Sequence, residues 1–443
     1  MPSHLAASSS NVTRESIKRE HDEKRRIETL CQMSENRKVT CTLVHHRKLR
    51  SSNVVDSLIE RRRLGFKMSD GFKAPMIRAR VPFMNTTLRR KVFPEPANMY
   101  EVMDHMHTMQ PSSDYTKILG LWSVRTTAVQ RIQVLDLSPT SKFLNDSSYD
   151  SMGNESRDVK IETEIGIKPS GTAIMKSLSK VTHICWAPLS VDDRSNSAVL
   201  YTTMCILGRF PSLALFRRLD SSTVQEYRST EFNLGKNAAW TCAWNSYNQQ
   251  FSIGSEKKAI LIDVETRRLW ELNTRDGDVL TQIFSNQEKS LLYSGTRKGL
   301  VCCHDLRSSS TYYVSALVHE SSVCCIQLLK DENYIICSTF SGRIQCWDLR
   351  MRKVVQEFPG HVNEYSRIPF HIDSTETVLC AAGQDCYTRI WSLKDSTLLH
   401  TIPPPFPASR DIIPAIRFST EWARSSQAGL LMGIKDEIHF YSL

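Results

Sequence analysis

The chain has 443 residues with 57 Lys and Arg against 47 Asp and Glu, and 13 cysteines. No run approaches the roughly eighteen apolar residues of a membrane span, and no apolar leader with a small-residue cleavage site is present, so membrane and secreted classes are excluded in favour of an intracellular protein, nuclear and/or cytoplasmic. The charge is uneven: residues 1–100 hold 21 Lys and Arg against 10 Asp and Glu, whereas the rest hold 36 against 37. The cysteines include the vicinal pairs Cys302-Cys303 and Cys324-Cys325, whose members point to opposite faces of a strand. They are expected to be reduced, buried small hydrophobes rather than a disulfide framework.

In chain order, residues 1–52 are Ser-rich and then densely charged, as in Arg14-Glu15-Ser16-Ile17-Lys18-Arg19-Glu20. Too few apolar groups are present to offset chain entropy, and a disordered basic tail is expected. The pattern changes at 53–65. Val54, Val55, Leu58, Ile59 and Leu64 follow the spacing of a short amphipathic helix, with Asn53 as N-cap, Gly65 as stop and a basic end at Arg61, Arg62 and Arg63. Residues 66–99 are basic and proline-punctuated, the character of an extended linker or a closing strand.

Over 100–443 the chain repeats. The clearest units end in His304-Asp305-Leu306-Arg307, Trp347-Asp348-Leu349-Arg350 and Trp391-Ser392-Leu393-Lys394. Equivalent positions fall at Asp136, Arg217, Asp263, Asp305, Asp348, Ser392 and Ser442, at intervals of 81, 46, 42, 43, 44 and 50 residues. A period just above 40 indicates one four-stranded propeller blade per unit. The long first interval holds an insertion at 138–172, rich in Ser, Asp, Asn and Gly, which is expected on the surface. Ile118–Val124 and Gln130–Leu137 form a predicted hairpin, and Val323–Leu329, Tyr334–Phe340, Arg343–Leu349 and Val354–Glu357 alternate as the four strands of one unit. The chain stops in the third strand of its last unit, so closing the ring calls for an outer strand from upstream, between Ala74 and Tyr100. The fold class is all-β: a seven-bladed β-propeller with a basic, partly helical and partly disordered amino-terminal extension.

Trp347-Asp348 at a strand end, Gly342 in the tight turn before it and Gly360-His361 opening the next unit closely resemble the WD-repeat family, of the WD40 type. The resemblance is clear over 175–443 and faint over 115–137. It implies a structural network among a His, a strand hydroxyl, an Asp and a Trp; in the unit ending at Trp391, His361 and Asp385 match, while Ala381 stands at the hydroxyl position. The paired Asp-Leu-Arg ends resemble more narrowly the motif of WD-repeat substrate receptors of cullin-four RING ubiquitin ligases, and the layout is nearest to the branch of that family's fourth member. This resemblance implies adaptor contacts by Arg307 and Arg350, with Asp305 and Asp348 beside them, and a leading helix that buries Val55, Leu58, Ile59 and Leu64 in an adaptor cleft with Arg62 at its wet end. The implied partners are the large subunit of the damage-specific DNA-binding protein as adaptor, the cullin-four scaffold indirectly, and a target protein that the sequence does not name. His304 departs from the aromatic residue that the family places before the first Asp.

Plainer readings stand beside these. An Arg after the strand-ending Asp can simply pair with that Asp as a solvated ion pair, and the helix near Leu58 can pack on its own propeller. The basic leader, with Arg89-Arg90-Lys91 and His45-His46-Arg47-Lys48, can be a solvated arm or a nuclear address; nucleic acid is disfavoured because no aromatic residues interleave the charges. Cys31, Cys41, His45 and His46 lack zinc-site spacing, so no metal is expected, and no phosphate loop, nucleophile elbow or paired His-Glu motif implies a cofactor or a reaction. The expectation is therefore a non-catalytic substrate receptor that presents a target for ubiquitination. Its rival is a WD-repeat scaffold in a chromatin or RNA-associated complex; a third reading, an enzyme with a site in the central channel, rests on the fold alone.

Overall fold

A computed structural model of the chain describes residues 89–94, 103–124, 130–149, 155–169, 175–177, 180–188, 198–203, 212–217, 226–232, 238–245, 247–286, 290–404, 412–424, 428–435 and 437–442. The expected tail at 1–52 and helix at 53–65 lie outside them.

Among the described residues seven antiparallel sheets follow one another along the chain. Blade 1 comprises Met103–Pro111, Lys117–Val124, Gln130–Tyr149 and Glu155–Pro169, with Met175–Ser177 also on its third strand. Blade 2 comprises Val181–Trp186, Ala198–Thr203, Ser212–Arg217 and Glu226–Glu231. Blade 3 is Ala239–Asn245, Gln250–Ser255, Lys258–Asp263 and Leu269–Asn273; blade 4 is Val279–Phe284, Leu291–Thr296, Leu300–Asp305 and Ser315–Val318. Blade 5 is Val323–Leu328, Tyr334–Thr339, Ile344–Asp348 and Lys353–Phe358, and blade 6 is Phe370–Ile372, Val378–Ala382, Thr388–Ser392 and Leu398–Ile402. Blade 7 takes Ala415–Ser419, Gly429–Ile434 and Glu437–Ser442 from the end of the chain. Its outer strand is Arg89–Pro94, paired antiparallel from Arg89 with Ser442 to Pro94 with Glu437.

The first strands of blades 1 to 5 lie each against the next, as do those of blades 6 and 7 and of blades 7 and 1, which places them around a central axis. The burial pattern follows. In blade 5 every residue of Tyr334–Thr339 is buried, because a middle strand is covered on both faces, whereas Lys353–Phe358 on the outside begins with exposed residues. Apolar side chains fill each gap between blades. Met106, Trp122, Trp422 and Phe440 join blades 1 and 7; Tyr293, Val301, Val323 and Ile335 join blades 4 and 5; Tyr334, Phe358, Phe370 and Trp391 join blades 5 and 6. Burying these large side chains supplies the main stabilisation, roughly 1.5–3 kcal/mol for each Leu, Ile or Phe.

The first strands of blades 2 to 5 share a register shift after their first residue, as between Val279 and Thr281 or Val323 and Cys325. Opposite this bulge stand Gly254 and Gly295. A Cβ at Gly254 would meet Thr241 Cγ2 at 2.5 Å and one at Gly295 would meet Thr281 Cγ2 at 2.6 Å, so close packing requires glycine there.

The stretch expected as an insertion is ordered as a long hairpin. Gln130–Tyr149 pairs with Glu155–Pro169 continuously from Leu135 opposite Pro169 to Tyr149 opposite Glu155. Val159, Ile161, Ile165 and Ile167 recur at even spacing within it, a strand signal that the surrounding Ser and Asp residues obscure.

Candidate protein-docking site

Every blade has the same strand order, so the turns after the third strands share one rim. In blade 4 the third strand ends at Asp305, and the backbone then turns sharply: Leu306 N–H donates to Ser290 O at 2.7 Å and Arg307 N–H to Asp305 Oδ1 at 3.0 Å. Blade 5 repeats this, with Leu349 N–H to Asn333 O at 2.9 Å and Arg350 N–H to Asp348 Oδ1 at 2.8 Å. The leucines tuck against the inter-blade clusters while the arginines stay outside.

Each guanidinium folds back onto its own Asp. Arg307 Nε and Nη2 donate to Asp305 Oδ1 and Oδ2 at 3.0 and 2.7 Å. Arg350 Nε and Nη2 reach Asp348 Oδ1 and Oδ2 at 3.4 and 2.8 Å, and Nη2 also reaches the Tyr334 hydroxyl at 3.2 Å. The own-Asp pair is thus made in both blades. The side chains nonetheless remain exposed, at 68% for Arg307 and 50% for Arg350, whereas the Asp348 side chain is 1% exposed. The Arg307 guanidinium, with its backbone N–H, holds Asp305 below the usual carboxylate range. At Asp348 burial alone would raise the carboxyl, but the Arg350 guanidinium and the N–H groups of Met351 and Arg350 outweigh it and lower it. The Asp pairs use Nε and Nη2, which leaves the N–H groups of Nη1 on an exposed, fork-shaped side chain.

The departure at His304 changes less than its chemistry suggests. His304 occupies the place of Trp391 two blades on. Its Nε2 lies 2.9 Å from Asn273 O, as Trp391 Nε1 donates to Pro359 O at 2.9 Å, so either ring ties its blade to the preceding one. Burial lowers the His304 pKa, with the Asn273 carbonyl opposing, which keeps the ring neutral with the proton on Nε2.

The WD-type network in the unit ending at Trp391 is not assembled. Asp385 is engaged by Arg389, with Nη1 to Oδ1 at 3.0 Å and Nη2 to Oδ2 at 2.5 Å. His361 Nδ1 has no hydrogen-bond partner, and its ring stands edge-on to Trp391 at 6.5 Å. Desolvation lowers His361 to about 4, assisted by Arg389, so it is neutral. Trp347 is held by contact with His319, ring centroids 4.8 Å apart.

Sequence reading missed the apolar residues after these turns. Leu269 and Trp270 in blade 3, Tyr312 and Val314 in blade 4, Met351 and Val354 in blade 5 and Leu398 in blade 6 are exposed. Each lies in or after the connection from third to fourth strand of its blade, and Met351 directly follows Arg350. The legible signal was an apolar residue directly after a polar turn on an outermost strand. Val55, Leu58, Ile59, Arg62 and Leu64 lie outside the described residues.

Among the described residues no group of three or more His, Cys, Asp and Glu is arranged to hold a metal ion, and no helix is long and apolar enough to cross a membrane. Burial pushes the thiols of Cys302 and Cys324 up to about 11 and 12, which keeps them protonated.

Comparison with known proteins matches residues 164–443 to the DDB1- and CUL4-associated factor 4 beta-propeller domain. The DDB1- and CUL4-associated factor 4 of Homo sapiens is 36% identical over 278 residues, 59% of this chain and 54% of the relative. That of Bos taurus is 34% identical over 276 residues with the same coverage, and the DDB1- and CUL4-associated factor 4-like protein 2 of Homo sapiens is 33% identical over 299 residues, 63% of this chain and 72% of the relative. The chain spans about half the length of the first two. The family match runs from the outer strand of blade 1 through blade 7, and on that ground the chain belongs to the DDB1- and CUL4-associated factor 4 propeller family.

Proposed function

We propose that this protein is a non-catalytic substrate-recognition subunit of a cullin-RING ubiquitin ligase, docking on the adaptor DDB1 and reaching the cullin-four scaffold through it. Two observations support the reading: membership of a family named for DDB1 and CUL4, and two Asp-Leu-Arg forks on adjacent blades, each pre-set by its own carboxylate. Pre-setting matters because a partner then need not order a flexible side chain before bonding to it. Rigid guanidinium donors suit backbone carbonyls and carboxylates, and arginines bordered by exposed apolar groups such as Met351 and Val354 have the make-up of an interface hot spot.

On this reading Arg307 and Arg350 touch the adaptor, Asp305 and Asp348 hold them, and Val55, Leu58, Ile59, Leu64 and Arg62 form a helix that enters an adaptor cleft. The target protein binds elsewhere on the propeller. Ubiquitin transfer is performed by other subunits, and this chain contributes proximity, raising the effective concentration of target lysines near a charged conjugating enzyme.

Affinity purification with mass spectrometry tests it, comparing the intact chain, Arg307→Ala with Arg350→Ala, and a version lacking residues 1–65. DDB1 and CUL4 are expected with the intact chain and depleted with both variants. Equal recovery of both subunits from all three would sink the docking assignment.

A further inference from the structure

Two further arginines lie inside the ring. Arg367, in the segment leading into blade 6, extends toward blade 3, where its Nη1 donates to Trp240 O at 2.6 Å. Arg417 sits on the first strand of blade 7, is 5% exposed, and its Nη1 donates to the neighbouring Ile416 O at 2.8 Å. Among the described residues no other hydrogen bond and no ion pair involves either side chain. A guanidinium carries five N–H donors, so most of the donors of both are unused.

Among the described residues the surroundings supply no counter-charge. The groups that act electrostatically on Arg367 are Cys324, Cys325, Cys242 and Arg297, and those acting on Arg417 are Cys325 and Tyr115. These cysteines are held as thiols by burial, so they bring no negative charge. His183 and His371, which feel the arginines, are depressed to about 3 by burial and stay neutral. Arg367 and Arg417 both line a cavity of about 190 Å³ with Pro369, Pro414 and Thr108, large enough for a tetrahedral anion and accompanying water.

An unpaired buried charge is strongly unfavourable, and apolar residues would normally fill such a place with profit to stability. Two cations around one cavity without a carboxylate match a doubly charged oxyanion, because the guanidinium fork meets phosphate oxygens in pairs and a phosphate group carries close to two charges at neutral pH. A single carboxylate would leave half the charge uncompensated.

We infer that the cavity between Arg367 and Arg417 at the axis of the propeller binds a phosphate group. The group can belong to a small phosphorylated molecule or to a phosphorylated residue of a peptide; the two guanidinium groups recognise the same chemistry in either. The inference does not depend on adaptor docking at the rim.

Thermal unfolding of the full chain tests it, in chloride and with added inorganic phosphate at matched ionic strength. At low millimolar phosphate the melting temperature is expected to rise by a few degrees and saturate, whereas general salt exclusion grows without saturating. Arg417→Met and Arg367→Met should each lose the phosphate-dependent rise, and Arg417→Met should melt no lower than the parent in chloride because an unpaired buried charge has gone. Should either variant fail to fold, Arg417→Lys, which keeps the charge without the fork, should need roughly tenfold more phosphate for the same rise. A phosphoserine peptide assayed beside inorganic phosphate separates the sources: tighter binding by the peptide assigns the site to a protein ligand, equal or weaker binding to a small one. Absence of a saturable rise in the parent protein overturns the inference. So does a rise retained in Arg417→Met, which would make the arginines structural clamps.

Discussion

Arg307 and Arg350 on the rim carry their charge beside a carboxylate and in contact with water, whereas at the axis Arg417 is buried and Arg367 half-buried, both without a carboxylate. The same side chain therefore does opposite things in the two places. At the rim the pair with Asp adds modest stability and fixes the direction in which the remaining donors point. At the axis the charge weakens the fold unless something negative arrives. A propeller tolerates the second arrangement because its stability comes from seven blade interfaces filled by clusters such as that of Met106, Trp122 and Phe440, leaving the inner edge free to depart from good packing.

Acid separates the rim forks from the buried histidines most strongly. His183 and His371 are depressed to about 3 and His319 and His361 to about 4, with burial as the leading cause in each. A depressed folded-state pKa means that the unfolded chain binds more protons below about 6.5. Stability is therefore fully present above pH 6.5 and is lost as pH falls toward 4 and then 3. The rim carboxylates are also lowered, but from 3.8, so the forks persist until the pH falls below that value. Denaturant unfolding between pH 7 and 4 should show a stability loss on the order of a few kcal/mol, and His371→Gln should make the dependence shallower. An unchanged slope in that variant would remove His371 from the account.

A smaller effect distinguishes the two forks. Asp348→Ala leaves the N–H groups of Arg350 and Met351, whose bonds to it are part-buried, without their acceptor, and about 1–3 kcal/mol of stability should be lost. Asp305→Ala, at a more open fork, should lose less, and calorimetry of the two variants side by side measures the difference. Equal losses would mean that burial of Asp348 does not matter. The smallest change expected is for His304→Trp, since both rings make the same bond to the preceding blade; a melting shift beyond a few degrees would show that the site is fitted to imidazole.

Much of the fold was legible because a propeller writes itself locally. The strand ends at Asp263, Asp305, Asp348 and Ser392 recur at nearly constant spacing, and the even-odd alternation of Val323–Leu329 and its neighbours marks single strands. The hairpin from Gln130 to Pro169 was not, since Ser and Asp are read as loop residues while pairing depends on partners as far apart as Leu135 and Pro169. At the rim, the Asp-Leu-Arg triplets were legible as turns, but whether the arginine grips its own Asp or waits for a partner depends on rotamers that no sequence pattern encodes. At the axis, neither Arg367 nor Arg417 belongs to any motif; Arg417 is a lone cation in an apolar stretch and Arg367 follows a polar one, and only closure of the ring brings both to one cavity.

The proposal that the two rim forks are a handle for DDB1 is tested most closely by direct titration of the purified full chain with purified DDB1. Arg307→Ala with Arg350→Ala, shown by calorimetry to be folded, is expected to bind on the order of a hundredfold or more weaker than the parent. Affinity within twofold of the parent would contradict it.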